Sequence, residues 1–200
     1  MQRLNLSFRF LGISLLLALL SACSNTALKQ QKEPELAWRA ALGNINHWQI
    51  NAKAGLQHDQ TYNTLTLDWV QKLDSYNVQM TGPMGQGHLA MQGDSRSMIL
   101  LTPEGRYVSN DPEALLQDRT GLSIPVNQLT YWIKGEPAPG KITGSLYDQQ
   151  GRIAALEQDG WRIEYTDFTQ QDTLWLPRKL EARKDKVRLK LVIKQWQILP

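Results

Sequence analysis

The stretch Trp48-Gln-Ile-Asn-Ala-Lys-Ala-Gly-Leu56 decides the fold, because its apolar residues stand at alternate positions. A period of two puts apolar side chains on one face of a β-strand and polar side chains on the other. Gln49, Asn51 and Lys53 fill the polar positions. The stretch therefore predicts a strand with one buried face and one face in water.

The same alternation recurs along the chain and predicts eleven strands in two runs. Six strands precede a helical insertion and five follow it. The predicted strands after the first are centred on residues 65–69, 76–80, 89–91, 98–102, 105–109, 141–147, 152–158, 162–168, 179–184 and 187–196.

Three short helices are predicted around these strands. The first covers Glu35–Leu42, directly after Pro34, since proline is favoured at a helix start. The second begins at Asp111-Pro112-Glu113, a capping residue followed by proline, and ends at Gly121. The third covers Val126–Lys134.

Together these elements predict a mainly β fold with a helical lid. An antiparallel sheet of about eleven strands normally rolls or splits, and short inserted helices are best placed over one face or mouth of such a sheet. We therefore expect an unclosed antiparallel β-barrel covered by short helices around an apolar cavity. A ligand of such a fold binds in the mouth or the interior.

The N-terminus has the order of an export signal. Arg3 and Arg9 are followed by an apolar run at residues 10–20 and by Leu20-Ser-Ala-Cys23. The run of 11 residues is too short for a helix that spans a bilayer. We interpret residues 1–22 as a signal peptide.

Leu20-Ser-Ala-Cys23 resembles the lipobox of bacterial lipoproteins, in which the cysteine is acylated and becomes the new N-terminus. The alternative is an ordinary secretory peptide with a chance cysteine. Two or more acyl chains suffice for stable membrane anchoring. Ser24 follows in place of the aspartate that retains such proteins in the inner membrane, which favours the outer membrane, with the protein on its periplasmic face. The polar residues 23–33 are then a lipidated tether, and residues 34–200 a single domain.

The formal net charge of +3 conceals an uneven distribution. Residues 178–194 hold eight basic and two acidic residues. On a strand, Arg188, Lys190 and Lys194 would share the outer face. That face is either simply solvated, where it would also discourage aggregation at a sheet edge, or attracted to anionic lipid head groups. Nucleic acid is not an expected partner of an exported lipoprotein.

Catalytic and metal-binding patterns are not found. The Gly85-Gln86-Gly87 stretch matches a loose dinucleotide fingerprint but precedes a strand pattern and not a helix. His47, His58 and His88 are scattered in the sequence and do not form a ligand-like His/Asp/Glu pattern at helical or strand spacing, and the only cysteine is assigned to the lipid. We expect no enzyme activity, no metal and no cofactor.

Two features suggest an apolar ligand and a membrane contact. Trp69, Trp132, Trp161 and Trp196 come from separate elements and could line a shared concavity, or could be ordinary core residues. In the turn Gly82-Pro83-Met84-Gly85 a single apolar side chain stands where polar residues are usual. Met84 is either tucked under its hairpin or exposed as a tip that enters a membrane or a partner.

The sequence resembles the LolB family of outer-membrane lipoprotein receptors in a series of short motifs that run in family order over nearly the whole mature chain. The matching stretches are Leu65-Thr-Leu-Asp-Trp69, Met80-Thr-Gly-Pro-Met-Gly85, Gly121-Leu-Ser-Ile-Pro-Val126, Leu129-Thr-Tyr-Trp-Ile-Lys-Gly135, Gly160-Trp-Arg-Ile-Glu-Tyr165, Leu176-Pro-Arg-Lys-Leu180 and Lys190-Leu-Val-Ile-Lys-Gln-Trp196.

The resemblance implies a receptor that accepts acylated lipoproteins from the periplasmic carrier LolA and places them among the phospholipids of the outer membrane. It also implies that Met84 takes the place of the family's membrane-inserting loop residue, usually leucine, and that Trp132 and Trp161 match aromatic positions of its cavity. We expect a monomer. The alternatives are a structural lipoprotein that binds envelope partners without a lipid ligand and, more remotely, a lipid hydrolase.

Overall fold

Eleven antiparallel strands form one sheet in the computed structural model, which describes residues 41–85 and 87–199. The strands, in chain order, are β1 (His47–His58), β2 (Thr61–Lys72), β3 (Ser75–Thr81), β4 (His88–Gly93), β5 (Met98–Thr102), β6 (Gly105–Ser109), β7 (Ile142–Tyr147), β8 (Ile153–Gln158), β9 (Trp161–Gln171), β10 (Leu174–Lys184) and β11 (Val187–Ile198).

The first and last strands pair in the middle of the sheet. The spatial order is β6-β5-β4-β3-β2-β1-β11-β10-β9-β8-β7, so two meanders are joined only through the β1–β11 ladder. The strands β6 and β7 are the two edges, and they do not pair with each other in the described part of the chain. The prediction of an unclosed sheet of eleven strands is confirmed.

One face of the sheet is buried as the alternation predicts. Along β1 every second residue from Trp48 to Leu56 is buried, whereas Gln49, Asn51 and Lys53 are exposed or half-buried. The central layer of this face is aromatic, since the Trp48 ring lies 5.7 Å from Trp69 and 5.6 Å from Trp196, measured between ring centroids. These packed indoles stabilise the junction of the two meanders.

Two helices connect the edge strands β6 and β7. Helix α1 (Pro112–Thr120) begins where the Asp111 side chain accepts a hydrogen bond from the backbone N–H of Ala114 at 3.0 Å, and it ends at Gly121 in the left-handed conformation. Helix α2 (Val126–Trp132) follows after a short loop. Both predicted helices are confirmed, but α2 ends two residues before the predicted Lys134.

The predicted helix Glu35–Leu42 falls mostly outside the described residues. Its last part is described, and residues 41–43 are helical.

The strand boundaries around Pro177 differ from the prediction. We predicted a strand from Lys179, but β10 begins at Leu174, and its register against β9 shifts between Pro177 and Lys179. The ladder with β11 begins only at Lys179. Pro177 has no N–H to donate, and it lies at an irregularity where β10 is paired with β9 but not with β11.

The position of the basic strand also corrects an expectation. The hypothesis that Arg188, Lys190 and Lys194 protect an exposed edge is wrong, because β11 lies between β1 and β10. These three residues are exposed on its outer face, as the alternation predicts.

Gly93 lets the hairpin of β4 and β5 approach Tyr76 closely. A Cβ atom at this position would collide with the carbonyl oxygen of Ser97 and would stand 2.9 Å from Tyr76 Oη and 3.0 Å from Met98 Cα. We expect Gly93→Ala to lower the free energy of unfolding by about 1–3 kcal/mol, because two of these atoms belong to the backbone. Urea denaturation measures the change.

The matched control is Gly144→Ala, whose new Cβ would meet only the Glu157 side chain, at 3.1 Å or more. It should change stability by less than about 0.5 kcal/mol. Equal effects of the two substitutions would contradict the close-approach explanation.

Candidate functional site

An apolar cavity lies between the inner face of the sheet and the two helices. Sixteen of its 17 lining residues are apolar, and the exception, Thr120, donates its hydroxyl to the carbonyl oxygen of Leu116 at 2.7 Å. The cavity therefore suits a hydrocarbon ligand and lacks the polar groups that orient most small molecules. The lining residues are Ala54, Leu56, Leu65, Leu67, Trp69, Val78, Met80, Leu89, Met91, Leu116, Thr120, Leu122, Ile124, Val126, Leu129, Leu189 and Leu191.

The cavity is small in this conformation. Its volume is about 110 Å³, whereas an apolar cavity of about 150 Å³ holds one benzene molecule. A long acyl chain has more carbon atoms than benzene. It would therefore fit only after the lid, which we define as residues 112–132, moves away from the sheet.

A buried polar network holds one end of the lid on the sheet. Gln158, fully buried at the end of β8, accepts hydrogen bonds from Trp132 Nε1 and from the backbone N–H of Ala138, both at 3.0 Å. Its amide nitrogen donates to the carbonyl oxygen of Ala138 at 2.7 Å, and Tyr165 Oη donates to the carbonyl oxygen of Trp132 at 2.9 Å. These bonds fix the C-terminal end of α2.

Lys134 ties the same end of the lid to the residues before β1. Its ammonium group donates to the carbonyl oxygens of Ile45 and Leu42, at 3.2 and 3.4 Å, and forms an ion pair of 2.9 Å with Glu136. The Lys134 side chain is only 7% exposed, so its ammonium group has little contact with water. The two carbonyl oxygens and the Glu136 carboxylate compensate for this lost hydration.

The rest of the lid is held mainly by apolar contact. The one side-chain hydrogen bond from it to the sheet side, among the described residues, runs from Asn127 Nδ2 to the carbonyl oxygen of Ser95 at 3.4 Å. Leu122 and Ile124, in the loop between α1 and α2, line the cavity and are only half-buried. The lid is thus anchored by polar groups at its C-terminal end, and elsewhere it is held by apolar contacts and by Arg119, whose guanidinium lies 4.2 Å from the ring centroid of Tyr107 on β6.

Two buried tyrosines stay protonated at neutral pH. Burial raises the pKa of Tyr165 far above its ordinary value. Burial, and secondarily the charge of Asp94, raises the pKa of Tyr76 to about 12. Both therefore act as neutral hydroxyl groups in the structure.

The four tryptophans predicted to line a cavity separate into two groups. Trp69 lines the cavity and donates its indole N–H to Gln71 at 3.0 Å. Trp196 packs against Trp48, which also packs against Trp69. Trp132 and Trp161 form a separate pair, 6.0 Å between ring centroids, beside the Gln158 network. All four are buried. The prediction that they hold an acyl chain is untested, and most of the cavity surface is aliphatic.

The loop between β3 and β4 presents Met84 to solvent. The side chain is 98% exposed, so of the two sequence interpretations the exposed tip describes this conformation. The backbone of Met84 is in the left-handed region, with φ of 57°, within a single 3-10 turn at Pro83–Gly85. The N–H of Gly85 donates to the carbonyl oxygen of Gly82 at 3.2 Å and closes the turn. The role of Gly82, Pro83, Met84 and Gly85 in membrane insertion stays a prediction.

The other sequence predictions concern residues that the structure describes only in part. Cys23, the signal peptide and the tether lie outside the described residues. Within the described ranges, no group of three or more His, Cys, Asp or Glu side chains could hold a metal ion. No described helix is both long and apolar enough to cross a membrane.

Sequence reasoning missed Gln158, Lys134 and Tyr165 as residues that hold the lid. Each has the pattern of an ordinary helix or strand residue, and the hydrogen-bond partners that reveal its role are 20 to 92 positions away. The aliphatic cavity residues of the strands lie on the face that the alternation predicts to be buried.

Comparison with known proteins identifies relatives over nearly the whole chain. The profile of the family described as "Outer membrane lipoprotein LolB" matches residues 46–196. A protein of Pseudomonas putida (strain GB-1) named "Outer-membrane lipoprotein LolB" is 36% identical over 190 residues, which cover 91% of this chain and 92% of that protein. Proteins of the same name from Pseudomonas aeruginosa (strain LESB58) and Chromohalobacter salexigens are 37% identical over 189 residues and 36% identical over 194 residues. The Pseudomonas aeruginosa match covers 90% of this chain and 92% of that protein. The Chromohalobacter salexigens match covers 95% of this chain and 90% of that protein.

Solved structures share the fold at low sequence identity. The crystal structure of a LolA superfamily protein from Nitrosomonas europaea superposes with a TM-score of 0.52 at 11% identity, over 78% of this chain and 88% of that one. A DUF1329 family protein from Desulfovibrio piger gives the same TM-score at 7% identity, over 81% of this chain and 90% of that one.

Removal of the Gln158 amide should show how strongly the lid is anchored. Gln158→Leu leaves the Trp132 indole N–H and both backbone groups of Ala138 buried without partners, so we expect a loss of about 2–4 kcal/mol in the free energy of unfolding. Urea denaturation followed by tryptophan fluorescence measures it. Gln170→Leu, which removes an exposed hydrogen bond to Asp172, is the control and should have little effect. If Gln158→Leu is equally harmless, the amide does not anchor the lid.

Proposed function

The chain belongs to the LolB family of outer-membrane lipoproteins, and we propose that it accepts acylated lipoproteins from the periplasmic carrier LolA and inserts them into the outer membrane. We also propose that residues 1–22 are removed as a signal peptide, that Cys23 carries the lipid anchor, and that residues 23–33 tether a single domain of residues 34–200. The protein acts as a monomer on the periplasmic face of that membrane.

The observation that carries this proposal is the apolar cavity under a lid anchored at one end. Sixteen apolar residues line it and the hydroxyl of the seventeenth is bonded within its own helix, so a bound hydrocarbon competes with no hydrogen bond of the cavity wall. The alternative of a structural lipoprotein without a lipid ligand gives no reason for such a cavity.

Energetics require a protected handover. A long acyl chain left in water costs on the order of 10 kcal/mol, at about 0.8 kcal/mol for each methylene group. Direct transfer between an apolar carrier and an apolar cavity avoids that barrier. The direction then follows from affinities that rise from carrier to receptor to bilayer, where each ~1.4 kcal/mol gives a tenfold bias.

The exposed Met84 supports the last step, delivery to the bilayer. An apolar side chain on a rigid turn can enter the lipid surface at little conformational cost, since its loop is already closed by the Gly82–Gly85 and Gly82–Gly87 hydrogen bonds. The residue then keeps the domain against the membrane while the acyl chains transfer.

Cys23→Ala should yield a form without the anchor that still accepts lipoprotein from the carrier, because the cavity residues all lie after the tether. Transfer is measured by incubating it with a carrier–lipoprotein complex and separating the two proteins. The matched control adds Ala54→Phe, which places a large side chain in the cavity and should reduce acceptance at least tenfold. If a folded Cys23→Ala form accepts no cargo, the receptor function is refuted.

Met84→Glu should accept cargo normally but release it into liposomes at least tenfold more slowly, since a charged tip cannot enter the bilayer. Met84→Leu, which restores an apolar side chain, should behave like the unaltered protein. Liposome flotation after loading measures release. Unchanged insertion by Met84→Glu would contradict the proposed role of the loop.

A further inference from the structure

On three neighbouring strands, the cavity residues become less buried toward the same end of the sheet. On β2, Trp69 and Leu67 are buried and Leu65 is half-buried. On β3, Val78 is buried and Met80 half-buried. On β4, Met91 is buried and Leu89 half-buried. The half-buried residues Leu65, Met80 and Leu89 lie at the end of the cavity nearest the β3–β4 loop, so the cavity opens there.

An apolar path continues beyond this end along the β3–β4 hairpin. Met80 pairs with Leu89, and the next pair, Thr81 with His88, is the last before the loop. Gly82 and Gly87 follow, joined by a hydrogen bond of 3.2 Å, and neither has a side chain that could block the way to the exposed Met84.

The neighbouring strands end differently. On β2 the next residue with the orientation of Leu65 is Asn63, and on β1 the next after Leu56 is His58. An acyl chain that left the cavity along β1 or β2 would meet polar side chains. Along β11 it would pass Val187 and then reach the exposed Lys186 and Asp185. Among the described residues of the β3–β4 hairpin, the inner face presents Met80, Leu89 and the backbone of Gly82 and Gly87.

We propose that Met80 and Leu89, with Leu65 beside them, are the outermost part of the cavity wall and form an apolar passage through which the long acyl chain of the cargo moves between the buried part of the cavity and the Met84 loop. This inference rests on the proposed function and names the residues that the chain crosses on entry and exit. Contact with the passage keeps each methylene group out of water during transit, and so lowers the barrier between two bound states.

A passage residue and a cavity residue differ in the sign of their effect on release. A polar side chain in the passage raises the barrier, so the bound chain leaves more slowly. A polar side chain deep in the cavity weakens the bound state, so the chain leaves faster. General loosening of the fold would also speed release, and slower release is therefore specific to a passage.

The test uses the Cys23→Ala form loaded with a fluorescent dipalmitoylated peptide, and follows release to delipidated albumin and to phosphatidylethanolamine–phosphatidylglycerol liposomes. Met80→Gln and Leu89→Gln should each slow both loading and release about tenfold, with less than a threefold change in Kd. Val78→Thr, of nearly the same shape but polar and fully buried in the cavity, should speed release. His88→Gln, exposed beside Leu89, should change neither rate.

The outcomes separate the two proposals. If the Cys23→Ala form binds no acylated peptide, the proposed function fails. If it binds the peptide and the folded Met80→Gln and Leu89→Gln variants release it at an unchanged or higher rate, the passage is refuted while the function stands. Slow release to albumin as well as to liposomes also distinguishes the passage from the Met84 loop, which acts only where a membrane is present.

Discussion

The pairing of β1 with β11 is the constraint on which the rest of the structure depends. It joins the two ends of the described chain in the middle of the sheet and leaves β6 and β7 as separate edges. The segment that connects these edges has to span the distance between them, and its buried residues Leu116, Val126 and Leu129 place it on the inner face of the sheet. The lid and the cavity beneath it therefore follow from the strand order, and the Trp48, Trp69 and Trp196 cluster stabilises the junction that produces both.

The lid divides its interactions in a way that suits reversible binding. Hydrogen bonds of Gln158, Tyr165 and Lys134 are concentrated near its C-terminal end, where they are buried and strong. Over the cavity the lid offers aliphatic side chains, whose contacts with the sheet can be exchanged for contacts with an acyl chain at little cost. A lid anchored by polar groups over the cavity itself would have to break them at every transfer.

Much of this architecture could be predicted from the sequence, because it depends on local patterns. Alternation identified the strands and their buried face, and Asp111 and Gly121 marked the ends of α1. The start of β10 at Leu174, before Pro177, could not be predicted. It depends on the fact that β11 does not pair with β10 before Lys179, which is known only from the assembled sheet. The Gln158 network was also beyond reach, since its partners meet only after the sheet and lid are assembled. The tryptophans were expected to line the cavity because aromatic residues signal apolar surface, but most of that surface proved aliphatic.

The basic residues of the C-terminal segment, residues 178–194, are not simply a free positive surface in the folded structure. Of its eight basic residues, five form ion pairs, and several of their acidic partners come from outside the segment. Arg183 pairs with Glu164 on β9, and the hydrogen bond from Arg162 to Glu164 lowers the pKa of that carboxyl group, so the pairs persist at neutral pH. Arg188, Lys190 and Lys194 lie on the outer face of β11, opposite the cavity that Leu189 and Leu191 of the same strand line. Attraction to anionic lipid would therefore hold the domain by a face from which no acyl chain can leave. The exposed, uncharged Met84 tip is the better placed contact for the proposed delivery of hydrocarbon to a bilayer.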